Sequence, residues 1–88
     1  PDNEEIRKGI DLLVLKFAFM DPLLNKEQKL AYLNAMKVKV QHYIQELEAY
    51  FEQEKGSMPI NGRLAFQHGL LSYNSTLTWC QFAIKNLN

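Results

Sequence analysis

Between Pro22 and Gly56 the sequence contains neither glycine nor proline. These two residue types are the strongest local breakers of regular backbone, so the stretch between them is free to form one continuous element. Its apolar positions decide which element. Leu33, Met36, Val40, Tyr43, Leu47 and Tyr50 recur at steps of three and four, and Leu30, Ile44 and Phe51 add a second row beside them. That is the period of a helix, not the strict alternation of a half-buried strand. Asn25 followed three residues later by Gln28 has the pattern of a capping box, and Gly56 is the expected C-terminal stop. The predicted helix over residues 26–54 would be roughly 43 Å long, against about 30 Å for the width of a compact chain of this size. Such a helix is expected to overhang its own domain and offer its apolar stripe to a second copy.

The flanking segments repeat the period. Ile6, Ile10, Leu13, Phe17 and Met20 form a stripe that ends where Pro22 pushes Asp21 out of the helical region. After the breakers Met58-Pro59 and Asn61-Gly62, a third stripe runs through Phe66, Leu70, Tyr73, Leu77, Cys80, Ile84 and Leu87. This last segment carries only Arg63 and Lys85 as full charges. Its other positions include Gln67, Ser72, Asn74, Ser75, Thr76, Thr78 and Gln81, small or uncharged groups that suit a helix enclosed by neighbours or packed on another subunit. The expected fold class is all-α: one domain over residues 1–88, with helices near 4–20, 26–54 and 61–86 and a long central helix. A second copy would complete it as a helical bundle or an antiparallel coiled-coil-like dimer. Gly69 inside the third helix costs about 1 kcal/mol relative to alanine, which predicts a close helix crossing there; Gly9 is read the same way or as a loose first turn.

Composition supports a partner and argues against chemistry. A chain of 88 residues buries only roughly 60 to 65% of its unfolded surface, yet 47% of its residues are apolar and 11% aromatic, more than so small a core can hide. Ten basic residues balance ten acidic ones, so the excess positive charge of a phosphate-gripping surface is missing. Within the central segment Lys26, Lys29, Lys37 and Lys39 precede Glu46, Glu48, Glu52 and Glu54, the unfavourable order for a helix dipole. Two antiparallel copies would set each basic half against an acidic half. The longest apolar stretch, Leu12 to Met20, is interrupted by Lys16 and falls short of the roughly 20 residues that span a bilayer.

Candidate chemistry reduces to a few isolated groups. The two histidines, His42 and His68, lack the Glu-x-x-His pattern of bundle metal sites, since Lys39 and Ala65 stand three residues before them. His42 and Glu46 are one turn apart and suit an ordinary surface pair. Cys80 stands alone, which excludes an internal disulfide and a cysteine-based zinc site, and its place in the stripe makes it a small buried hydrophobe. The paired acids Glu4-Glu5 suit a helix N-terminus, and Asn74-Ser75-Thr76 matches a glycosylation acceptor only inside a helix. No phosphate loop or nucleophile arrangement can be assembled, so neither enzymatic activity nor a cofactor is expected. The residues expected to form packing and dimer contacts are Leu13 and Phe17 in the first helix and Leu33, Met36, Val40, Tyr43, Leu47 and Tyr50 in the second. In the third they are Phe66, Gly69, Leu70, Tyr73, Leu77 and Trp79. Trp79, with Ser72, Ser75, Thr76 and Ala83 on the turns around it, is read as a packing anchor or as a stacking platform for a flat ligand.

With the helices placed, specific residues carry a family likeness. Leu15-Lys16-Phe17-Ala18-Phe19 closes the first helix; Leu23-Leu24 and Lys26-Glu27 open the second, which continues through Leu33 to Ile44, Leu47 and Tyr50. The third carries Leu64-Ala65-Phe66-Gln67-His68-Gly69, then Trp79, Ala83, Ile84 and Leu87. Over residues 6–88 this order resembles the C-terminal domain of PadR-family transcription regulators, a bacterial group that includes the virulence-activator alpha type. Cys80 departs from it, an aliphatic residue being expected after the tryptophan. The resemblance implies a homodimer and DNA binding only through an N-terminal winged helix absent from these residues; the short apolar stretch gives no membrane contact, the single cysteine suits a cytoplasmic setting, and a small-molecule effector is a further candidate partner. Two other readings stay open: a ligand-sensing domain in which Phe66, Tyr73 and Trp79 line a pocket, and a free-standing adaptor that binds an amphipathic helix of another protein.

Overall fold

The structure, a computed structural model, describes the backbone of residues 3–88 and the side chains of residues 6–88. The Glu4-Glu5 side chains lie outside that range. The architecture is all-α: α1 spans Asn3–Phe19, α2 spans Lys26–Glu54 and α3 spans Ile60–Leu87, with a 3-10 turn over Lys55–Ser57. No strand occurs among the described residues.

Local chemistry accounts for the helix boundaries. Asn25 caps α2 through the reciprocal pair expected from its spacing to Gln28. The Gln28 N–H donates to Asn25 Oδ1 at 2.8 Å, and the Asn25 N–H donates to Gln28 Oε1 at 3.0 Å. Before it, the chain turns over Met20–Leu23, closed by the Leu23 N–H donating to the Met20 carbonyl at 2.8 Å. The other end differs from expectation. Gly56 does not adopt a left-handed cap: no residue of the described chain has a positive φ. Instead α2 tightens into the 3-10 turn, a common way for a helix to satisfy its last carbonyls. Pro59, extended at φ −61° and ψ 157°, is the N-cap of α3. Asn61 and Gly62 therefore sit inside the first turn of α3, and a Cβ at Gly62 would meet the Pro59 ring only at an ordinary contact distance of 3.8 Å.

Packing is organised around α2. Leu33, Met36, Val40 and Ile44 are buried at steps of three and four, against Leu70, Tyr73 and Cys80 of α3 and Ile10 of α1. Aromatic pairs show that α2 and α3 run antiparallel: Tyr43 meets Tyr73 edge-on at 5.1 Å, and further along Phe51 stacks on Phe66 at 5.1 Å. α1 lies along the groove between them. Tyr32 stacks on Phe17 at 5.8 Å while its hydroxyl donates to the Leu13 carbonyl at 2.7 Å, and Trp79 and Phe17 meet in a T-shaped contact at 6.0 Å. At the other end of α1, the Arg7 guanidinium donates to Ser72 Oγ.

The expected overhang of α2 does not occur, because α3 has 28 residues against 29 in α2 and the two match as a hairpin. The whole molecule is drawn out instead, to 49 × 21 × 17 Å, with a radius of gyration of 15.1 Å. A compact chain of this length would have about 12 Å. Only α1, at 17 residues, is short, and the hairpin extends past its first turn.

Because Leu33 is fully buried, Leu33→Ala is expected to cost about 2–5 kcal/mol in urea unfolding, and Asn25→Ala about 1 kcal/mol through the lost cap.

Candidate interaction surface

The structure assigns the residues expected in packing and dimer contacts to three environments. Leu33, Met36, Val40, Leu70 and Tyr73 are buried within the chain. Leu13, Phe17, Tyr43, Leu47, Phe66, Gly69, Leu77 and Trp79 are half-buried around that core. Tyr50 is exposed, its ring stacked on Phe66 at 6.0 Å. The apolar row of α2 is therefore occupied by α3 and α1 of the same chain. What α2 turns outward is mostly polar or charged, with Val38 the largest aliphatic exception, and local pairs form on it: Lys29 with Asp21, His42 with Glu46 at 2.8 Å, and Lys55 with Glu52 at 2.7 Å.

The unmatched apolar surface lies elsewhere, on residues that the three inward stripes do not include. On α3, Leu64, Leu71 and Phe82 are 61%, 70% and 63% exposed. With His68, Ser75 and Thr78, also exposed, they form a row at steps of four and three on the side of the helix opposite Tyr73. No charged residue lies between Arg63 and Lys85, so this outer row crosses most of a 28-residue helix without a full charge. On α1, Leu12, Leu15 and Phe19, with Leu23 in the following turn, form a second exposed group bordered by Lys8 and Lys16. The sequence signal for the α3 row is Leu64 and Leu71, seven residues apart, hidden beside the stronger inward stripe.

Two hollows border these faces. A cleft of about 300 Å³ opens where the hairpin runs past the start of α1, floored by Leu47, Phe66, Leu70 and Tyr73, with Arg7 and His68 at its rim. Trp79 belongs to a different, shallower hollow with Asp11, Val14, Ser75 and Thr76. Phe66 and Tyr73 thus share a cleft that Trp79 does not enter. The expected helix crossing at Gly69 is also absent within the chain, since a Cβ built there would meet nothing within 4 Å.

Electrostatics adds no reactive centre. Burial pushes the Cys80 thiol above its ordinary range, opposed by the Lys37 ammonium that α2 brings near it. Burial likewise raises Tyr73, where Asp11 adds to the effect while Arg7 and a hydrogen bond with Tyr43 oppose it. Among the described residues no three His, Cys, Asp or Glu side chains converge to hold a metal, and no helix is long and apolar enough to cross a membrane. In comparisons with known proteins, no family model, no curated protein and no solved structure matches this chain.

Two outcomes follow from these local environments. Gly69→Ala should raise the thermal midpoint, by up to about 1 kcal/mol of stability, because the helix gains propensity and nothing obstructs the methyl group. Stability should fall as pH rises above about 9, since Cys80 and Tyr73 hold their protons more tightly folded than unfolded and the folded state then binds more protons. Urea titrations across that range should show a shallower decline for Cys80→Ala, from a lower starting value.

Proposed function

We propose that the chain is a homodimerisation module. The observation that carries this reading is surplus surface together with exposed apolar side chains on α1 and α3. The chain exposes 6254 Å², whereas a folded monomer of 10.3 kDa exposes about 5,400 Å². The excess of about 900 Å² is close to the roughly 800 Å² that one partner contributes to a stable interface. It is accompanied by Leu12, Leu15, Phe19, Leu64, Leu71 and Phe82, all at least half exposed and gathered on two helix faces. Exposed apolar side chains gathered on one helix face are a feature of interaction sites.

The resemblance to PadR-family C-terminal domains extends the proposal to its biological role. In that reading the module joins two winged-helix heads carried by preceding residues, and the regulator works in the bacterial cytoplasm. The balanced charge of the chain suits it, because the DNA-reading work falls to the heads. The cleft under Arg7 and His68 supports a second role as an effector site, since its apolar floor and polar rim are features of small-molecule sites.

Sedimentation equilibrium at micromolar concentration tests the module directly. The expected mass is twice 10.3 kDa, and a monomer would overturn the proposal. For the regulatory role, the protein bearing its preceding residues should bind operator DNA with two half-sites, while residues 1–88 alone should not.

A further inference from the structure

We infer that the dimer seam is the outer row of α3, paired antiparallel with α3 of a second copy about a two-fold axis that passes between Leu71 and Ser75; this rests on the homodimer reading above. The row consists of Leu64, His68, Leu71, Ser75, Thr78 and Phe82, all exposed and spaced as the a and d positions of a coiled coil. Leu64 to Phe82 covers roughly 27 Å of helix.

Size complementarity fixes the direction and the register. In the antiparallel pairing Leu64 faces Phe82 of the other copy, His68 faces Thr78 and Leu71 faces Ser75. Each central layer then combines one large and one small side chain, which keeps the layer volumes even and lets the helices approach closely. A parallel pairing would stack Ser75 on Ser75 and Thr78 on Thr78, leaving gaps, and would place two Phe82 rings and two His68 rings in single layers. The antiparallel arrangement is also isologous, so one surface completes itself without a different partner.

Charge selects a second copy over another protein. The row has no full charge with which to recognise a charged partner, and between two copies it creates no repulsion within its length. The seam is also the face that remains once the chain has folded. The apolar row of α2 is covered from within, and the lysines and glutamates on its outer side border the molecule at a distance from α3's outer row.

Four proteins compared by sedimentation velocity, with circular dichroism to confirm helix content, decide the matter: the wild-type chain, Leu71→Lys, the double variant Leu71→Lys with Ser75→Glu, and Lys37→Glu with Lys39→Glu. Leu71 is exposed, so its substitution leaves the fold intact. Leu71→Lys should raise the dimer dissociation constant by a hundredfold or more, since it buries two unpaired charges at the seam, a factor on the order of that cost. The double variant should recover association, because each introduced lysine then faces an introduced glutamate of the other copy across the antiparallel seam. The α2 variant should associate as the wild type does. A dimeric Leu71→Lys protein, or loss of the dimer in the α2 variant, would place the seam elsewhere. A double variant that stays dissociated would overturn the register, and a wild-type monomer would instead overturn the homodimer reading itself.

Discussion

Everything in this fold depends on the burial of one row of α2, Met36, Val40 and Ile44, against Tyr73 and Cys80 of α3 and Ile10 of α1. Each large side chain removed from water contributes about 1.5–3 kcal/mol, and this row is where the chain concentrates such burial. No polar or charged residue is buried among the described residues, so the core gains its order from shape. The aromatic contacts flanking the row carry that shape. Tyr43 on Tyr73 and Phe51 on Phe66 hold the two long helices in one register along their length. Tyr32 then fixes α1 twice, by its ring against Phe17 and its hydroxyl on the Leu13 carbonyl.

Matching two helices of nearly equal length has a geometric consequence. A hairpin as long as α2 and α3 presents a groove that a 17-residue helix covers only in part, and three parallel rods expose more surface than a sphere of the same mass. The sequence compensates unevenly. It places lysine and glutamate on the outer face of α2 but leaves α3 uncharged from Leu64 to Ile84 and α1 apolar at Leu12, Leu15 and Phe19. A solvated face needs no such restraint with charge. The contrast between α2 and α3 is what favours α3 over α2 as the partner surface in the proposed dimer, and it is a stronger sign than total hydrophobicity, which is high throughout.

The elements themselves are legible in the sequence because each is decided locally. Periodicity, the Asn25 cap and Pro22 place three helices within a residue or two of where they lie. What periodicity cannot state is whose surface a stripe will meet. The stripe of α2 reads equally well as a seam between copies or as the inside of a hairpin, and only the matching length of α3 decides for the hairpin. The same limit applies to Phe66, Tyr73 and Trp79. On the helix, Phe66 and Tyr73 share one face while Trp79 points about a third of a turn away, towards α1, so the three never form one pocket. Gly56 and Gly69 mislead for a different reason. Glycine signals that a special conformation or a close approach is allowed, whereas here α2 ends by tightening and Gly69 borders open space.

The antiparallel seam on α3 would also give α1 a defined place in the dimer. α1 runs parallel to α3, and its first turns lie beside Ser72, where Arg7 donates to the serine hydroxyl. Ser72 stands at the level along α3 at which the inferred axis crosses, between Leu71 and Ser75. A two-fold axis of an antiparallel helix pair stands perpendicular to the plane of the two helices, so an element packed on one side of α3 is repeated on the same side of the dimer. Both copies of α1 would then lie on one face, each starting near the axis and running away from it in opposite directions. Polypeptide leading into α1 would enter from two neighbouring points on that face. In that dimer the distance between any heads it carried would follow from the register at Leu71 and Ser75 more than from the length of the long helix, so the outer row of α3, and not the apolar stripe of α2, would set their spacing.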